Sequence, residues 1–599
     1  MPRRPYYGFI GNGETAALIS PDTAIEWLCV PRFDSFPFFA AALSPEKGGS
    51  LRLIVDPPPQ PFKQRYLPYS NVLETIALGP GFSLKVLDFM PWRQPCLIRY
   101  VTLENRSALR LSLKLSWEAQ PIKTSARSFS VQYMGPLKFI SSPDGTLCIG
   151  GLNWPSTDFP LVLGPGERYN CRLLLSYGTN ISQARHRWFA GWDNTLEKAV
   201  TWWRRWFVRA RSPYLKDKEM LEAYYTSLMV LKLLIYEPTG AIVAAPTTSF
   251  PAVPGGNENW DYRYTWLRDG YLTALALDGA GYHREARDFY EFALSLQEPG
   301  GGWERPLYPV ERVGAIERIV DDLAGPRGEK PIRFGNAAQD QLQLDNSGNI
   351  LDGLWNHYLA TRDRDYIRFR WPNIRRAALW IENHWYLPEN GIWEIREITQ
   401  HWVYGKILCY AGLRAVSHLA IDIGNLQWSS PWHECARRIR RQILIHGWSK
   451  KRQAFVQYYH PEAPLDISVL ALVFYGLLYP QHPRMKKTVA AMEEPSPVAK
   501  GDPQGRGGLH MWGGVARYEQ AQLPFYLATF WLARYYLHAG EYGKALELIK
   551  TALDSATDLY LMAEHFDPRS GQQWGNFPQG FSHEELVRLL LDPSWARLE

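Results

Sequence analysis

Leu109-Arg110-Leu111-Ser112-Leu113-Lys114-Leu115-Ser116 alternates leucine with a polar residue through the whole run. Successive side chains of a strand point to opposite faces, so this spacing predicts a β-strand with its leucines inward. Phe82-Ser83-Leu84-Lys85-Val86-Leu87 and Cys171-Arg172-Leu173-Leu174-Leu175 read the same way. Turn formers separate such runs: Asp56-Pro57-Pro58-Pro59, Gly79-Pro80-Gly81, Pro143-Asp144-Gly145 and Gly164-Pro165-Gly166. Short strands punctuated in this manner predict an antiparallel β-sandwich over residues 1–182. The apolar period then becomes helical. Residues 193–210 are amphipathic and predict a linker helix within 183–215. Over 216–599 helical patterning recurs near 218–236, 262–280, 283–297, 341–361, 363–386, 402–423, 429–446, 465–478, 483–496, 519–539, 541–556 and 580–591. Twelve such segments, joined as six hairpins, predict an (α/α)6 barrel. The expected fold class is therefore multidomain β + α. The connection 298–340 is long and rich in Gly, Pro and Trp, as lids and binding walls are.

At 599 residues the chain exceeds a single ordinary core. Aromatic residues reach 14 %, with 25 Trp and 33 Tyr, more than core packing alone requires. The formal charge of +6 comes from 66 basic and 60 acidic residues, a near balance that argues against a nucleic-acid surface. The basic clusters Trp202-Trp203-Arg204-Arg205-Trp206 and Arg437-Arg438-Ile439-Arg440-Arg441 read as outer helical faces. Cysteines at 29, 96, 148, 171, 409 and 435 lack zinc-ligand spacing, and neither a metal nor another cofactor is expected. They read as reduced and mostly buried, which with no signal-peptide pattern and no membrane span gives a cytoplasmic expectation.

Two glutamates stand out in segments between helices: Glu394 in Asn390-Gly391-Ile392-Trp393-Glu394, and Glu564 in Leu561-Met562-Ala563-Glu564-His565-Phe566-Asp567. Glycoside hydrolysis uses one carboxyl group as a general acid and another as base or nucleophile. Aromatic faces suit the C–H groups of a sugar ring. Further stretches carry a resemblance. Phe9 to Leu18 (FIGNGETAAL) and Ile25 to Ser35 (IEWLCVPRFDS) form one pair of motifs. Pro254-Gly255-Gly256 precedes Asn259 to Asp269 (NWDYRYTWLRD), and Gly335-Asn336-Ala337-Ala338, Gly391 to Arg396 (GIWEIR) and Gly575 to Gln579 (GNFPQ) follow. In this order, over nearly the whole chain, they resemble the bacterial and archaeal glucoamylase/trehalase-family glycoside hydrolases.

The resemblance implies roles. Glu394 matches the family's general acid and Glu564 its general base, with inversion at the anomeric carbon. Inversion leaves room for a water, so the carboxyls are expected about 6.5–9.5 Å apart. Glu394 is expected to be held protonated, with apolar packing by Trp393 one means, and Glu564 to stay ionised. Arg268 and Asp269 match the pair that grips the terminal glucose. Arg517 matches an arginine near the second sugar, and Trp266, Trp393 and Trp574 are stacking candidates. Asp345-Asn346-Ser347-Gly348-Asn349 and Glu397 depart from the usual pattern, and are expected to alter the second-sugar side. The leading expectation is an inverting exo-acting α-glucosidase of glucoamylase type, releasing β-glucose from short α-gluco-oligosaccharides. The alternatives are a trehalase using the same carboxylates and a non-catalytic glucan-sensing protein. A phosphorylase is disfavoured by the retained Glu564. The small oligosaccharide is the one partner expected, with neither nucleic acid nor membrane.

Overall fold

The computed structural model describes residues 6–156, 159–215, 217–303, 305–311, 316–396 and 398–597. Two antiparallel sheets form the N-terminal sandwich. One runs in the order 8–11, 16–19, 25–29, 50–56, 111–120, 161–163, with 37–39 beside 25–29. The other runs 130–134, 137–142, 145–152, 168–178, 96–105, 82–89, 73–79, 62–66. In the strand Leu111–Gln120, Leu113 and Leu115 face inward and join Val55, Val86 and Val101 in a common cluster. Leu109 corrects the expectation. It precedes the strand and is 74 % exposed, because its carbonyl is tied into a turn by the side chains of Asn105 and Ser107.

The linker expected as one helix is two, Ile181–Gly191 and Leu196–Phe207. Thr195 breaks the run by capping the second helix, its hydroxyl accepting from Lys198 N, a bond of about 1 kcal/mol. The tryptophans of this second helix are anchors rather than an outer face. Trp202 stacks on Trp92 at 4.3 Å, while Trp206 stacks on Tyr282 at 4.1 Å and donates to Glu285 at 2.8 Å.

Beyond the linker lies the (α/α)6 barrel. Its inner ring comprises Leu267–Gly279, Asp345–Thr361, Val403–Ile423, the short segment 467–474, Tyr526–Ala539 and Gly580–Leu590, each packed on the next and the last on the first. The outer helices are Lys218–Leu233, His283–Ser295, Arg364–His384, Ser429–His446, Pro483–Glu493 and Tyr542–Asp554. Val403–Ile423 is buried on nearly every face, which its apolar composition allows only to a helix surrounded by others. Three expected helices are much shorter than their patterns, the one expected over 519–539 beginning only at Tyr526. The first inner helix begins at Leu267 because Thr265–Trp266 pairs as a strand with Leu307–Tyr308. The segment predicted over 465–478 shrinks to 467–474, the chain turning at Gly476 with φ of 71°.

All six cysteines are free and buried. Among the described residues no helix is long and apolar enough to cross a membrane, and no group of three or more His, Cys, Asp or Glu is placed to hold a metal.

Candidate active site

The segment 259–269 builds one wall by alternation. Asp261 and Arg263 form a buried ion pair at 2.7 Å, and Arg263 donates to Ser35 O at 2.6 Å, locking the segment to the sandwich. Tyr262 and Trp266 instead line the cavity. The inner helix that follows places Arg268 and Asp269 in its first turn, at the floor.

Glu394 comes from a tight turn. Its φ of 57° and the 73° of Gly391 are left-handed, strain of the kind concentrated at functional sites. A Cβ on Gly391 would stand 2.4 Å from the Trp402 ring, so only glycine fits there. Glu564 precedes the hairpin His565–Asp567/Gln572–Trp574, and Arg517 follows the short strand Gly514–Val515.

Glu394, Glu564, Arg268, Asp269, Trp266, Trp393 and Arg517 all line one cavity. Trp574 is the exception. It lines a separate cavity, with the Arg327 guanidinium 4.8 Å from its ring centre, because its hairpin turns it away from the carboxylates. The Asp345–Asn349 departure also lies elsewhere than expected. These residues are buried in the first turn of an inner helix beneath Arg268, with Asp345 Oδ2 3.9 Å from Arg268 Nη1, and none lines the cavity. Glu397 is outside the described residues.

The surroundings of Glu394 are polar rather than the expected packing by Trp393. Its Oε1 accepts from Trp266 Nε1 at 2.7 Å, Gln343 Nε2 at 3.1 Å and Arg268 Nη2 at 3.2 Å. Trp393 Nε1 donates instead to Asp466 at 2.7 Å. Glu564 also differs from expectation. Burial pushes its carboxyl up to about 7, against the opposing Arg517 charge and the 2.8 Å hydrogen bond from Tyr262 Oη, while Glu258 and Glu394 push it further. Burial likewise raises Asp269 to about 7, with Arg268 opposing. Burial would discharge Arg268, but Asp269, Glu394 and Asp345 outweigh it and hold the guanidinium charged. His565, beside Glu564, is kept neutral by burial and by Arg517.

Two floor atoms, Arg268 Nε and Asp269 Oδ2, are buried without a hydrogen-bond partner among the described residues. A donor and an acceptor left open at a pocket floor are what a sugar hydroxyl would satisfy. Sequence reasoning missed Tyr262, Gln343 and Glu258. Tyr262 lies inside the NWDYRYTWLRD run, and its alternation with buried neighbours was the available signal. Gln343 carries none, since its contact with Glu394 is purely tertiary.

Gly575 sets the position of Glu564. With φ at 89°, a Cβ there would stand 2.7 Å from Glu564 Cβ and 2.8 Å from its Oε2. Gly575→Ala is expected to displace that carboxylate and lower kcat about 10- to 100-fold with little change in KM, as steady-state kinetics would show.

Residues 218–591 match the family described as glycosyl hydrolases family 15. The chain belongs to that family. As a family 15 glycosyl hydrolase it is a glycoside hydrolase, and residues 5–140 match a second description, the trehalase-like N-terminal domain. It is 31 % identical to Trehalase 2 of Sulfolobus acidocaldarius over 98 % of this chain and 99 % of that protein. The trehalase of Mycobacterium tuberculosis is also 31 % identical, over 98 % of this chain and 88 % of its own. Among solved structures, a bacterial glucoamylase complexed with acarbose matches with a TM-score of 0.68, covering 100 % of this chain and 96 % of its own. At 14 % identity that likeness speaks to the fold, the sandwich and barrel together.

Proposed function

We propose that this family 15 hydrolase is an inverting trehalase, with Glu394 as general acid and Glu564 as general base. The observation that carries the chemistry is the convergence of both glutamates on one cavity, beside an Arg268–Asp269 ion pair at 3.6 Å whose Arg268 Nε and Asp269 Oδ2 make no hydrogen bond among the described residues. The choice of trehalose over the oligosaccharides first expected rests on relatives named trehalases that match along nearly all of this chain, N-terminal domain included.

In this reading one glucose of trehalose sits on Arg268 and Asp269, with Trp266 beside it. The three donors occupy Oε1 of Glu394, which leaves Oε2 as the oxygen that passes a proton to the bridging oxygen as the C1–O bond breaks. Glu564 takes a proton from a water that attacks C1 from the opposite face. The attacked ring leaves as β-glucose and the other as α-glucose. Arg517 and Tyr262 stabilise the anionic base until turnover.

A base that ionises near neutrality is well matched to its task. Activity needs Glu564 deprotonated, so kcat/KM is expected to fall as pH drops through about 7. A flat profile from about pH 5 to 8 would contradict the role of this group. Substrate identity is tested by glucose release from trehalose, maltose, isomaltose and panose. Trehalose is expected to be cleaved at least about tenfold faster than the others; preference for maltose or panose would restore the oligosaccharide reading.

A further inference from the structure

Arg517 lies at the outer edge of the cavity, 13 % exposed at its side chain against 5 % for Arg268 on the floor. Its guanidinium rests near the rings of Tyr518, Trp393 and Phe525, at 5.2, 5.9 and 5.9 Å. A carboxylate ties it down: Nη2 donates to Glu258 Oε2 at 2.8 Å. Glu258 is itself on a fixed stretch of chain, since Arg333 Nη1 binds the carbonyls on either side of it, Asn257 O at 2.9 Å and Asn259 O at 3.1 Å. Arg517 Nε remains buried and without a partner among the described residues.

We propose that Glu258 is a positioning residue that holds Arg517 at the edge of the cavity and divides its charge between two carboxylates, itself and Glu564. The proposal rests on the reading of Glu564 as the base. Arg517 has one positive charge, which the neighbouring carboxylates Glu258 and Glu564 both help to hold. The ion pair with Glu258 fixes where that charge stands, and the negative charge of Glu258 opposes ionisation of Glu564. The other groups facing Glu564 are Tyr262 from the wall, Glu394 from its turn, Asp269 from the floor helix and the neutral His565. Glu258 is bonded to Arg517 rather than to any of these, so its removal acts on the base through Arg517 and through space.

The test is the pH profile of kcat/KM on trehalose for the native chain, Glu258→Gln, Glu258→Ala and Glu564→Gln, with thermal melting to confirm folding. Glu258→Gln keeps a hydrogen-bond acceptor for Arg517 but removes the charge. Its acid limb is expected to move to lower pH by roughly half a unit to one unit, with KM within about twofold of native. Glu258→Ala also frees Arg517, and is expected to add a rise in KM of about fivefold or more. A Glu258→Gln profile lowered equally at every pH, or unmoved, would overturn the proposal while leaving the base assignment standing. Native-like activity of Glu564→Gln would overturn the base assignment, and the proposal with it.

Discussion

Glu564→Gln is expected to lose about a thousandfold or more in kcat on trehalose while still binding the sugar. The amide fills the same space and can still accept from Tyr262, but it cannot take a proton from the attacking water. Loss through misfolding is separable by pH. Glu564 is fully buried, and its folded value of about 7 lies above the ordinary 4.5, so its neutral form is the one the fold favours. The stability this contributes is fully present below about 4.5 and is lost as pH rises through about 7, on the order of 3 kcal/mol. The Gln variant lacks this ionisation and is expected to melt no lower than the native protein at about pH 8. An active variant, or an inactive one that melts well below native at that pH, would contradict this account.

Glu394→Gln is expected to lose a similar factor on trehalose, for a different reason that the choice of substrate exposes. A sugar leaving group needs a proton, whereas fluoride departs with little assistance. The Gln variant should therefore recover most of its rate on α-glucosyl fluoride, and Glu564→Gln should not, because attack by water is still required. Equal losses by both variants on both substrates would remove the division of labour. The three donors on Glu394 Oε1 sharpen this expectation, since Trp266, Arg268 and Gln343 already fix the carboxyl in one orientation. What the substitution removes is then the proton rather than the geometry.

Much of this architecture was legible in the chain because the signals are local. Leucine alternation marked the sandwich, and helical periodicity marked twelve barrel segments, including 429–446 to the residue. The two glutamates and the Arg268-Asp269 pair were assigned roles through the family resemblance, carried by runs such as NWDYRYTWLRD and GIWEIR. Errors arose where tertiary contacts decide. Trp574 looked like a sugar platform beside Gly575-Asn576, yet its hairpin directs it to Arg327. Asp345–Asn349 looked like a change at the second-sugar side but lies buried beneath Arg268. Burial, which the sequence does not display, raises the Glu564 carboxyl against the pull of Arg517 and ties its role as an ionised base to pH near neutrality. Glu258 drew no attention because its meaning depends on an arginine 259 positions away.

The central claim is that two carboxylates invert one glucose of trehalose through a water molecule. A proton NMR time course on trehalose, read in the anomeric region before mutarotation, tests it most directly. Inversion predicts equal early amounts of β-glucose and α-glucose, one from each ring. Early α-glucose alone would mean retention, and would contradict the roles given to Glu394 and Glu564.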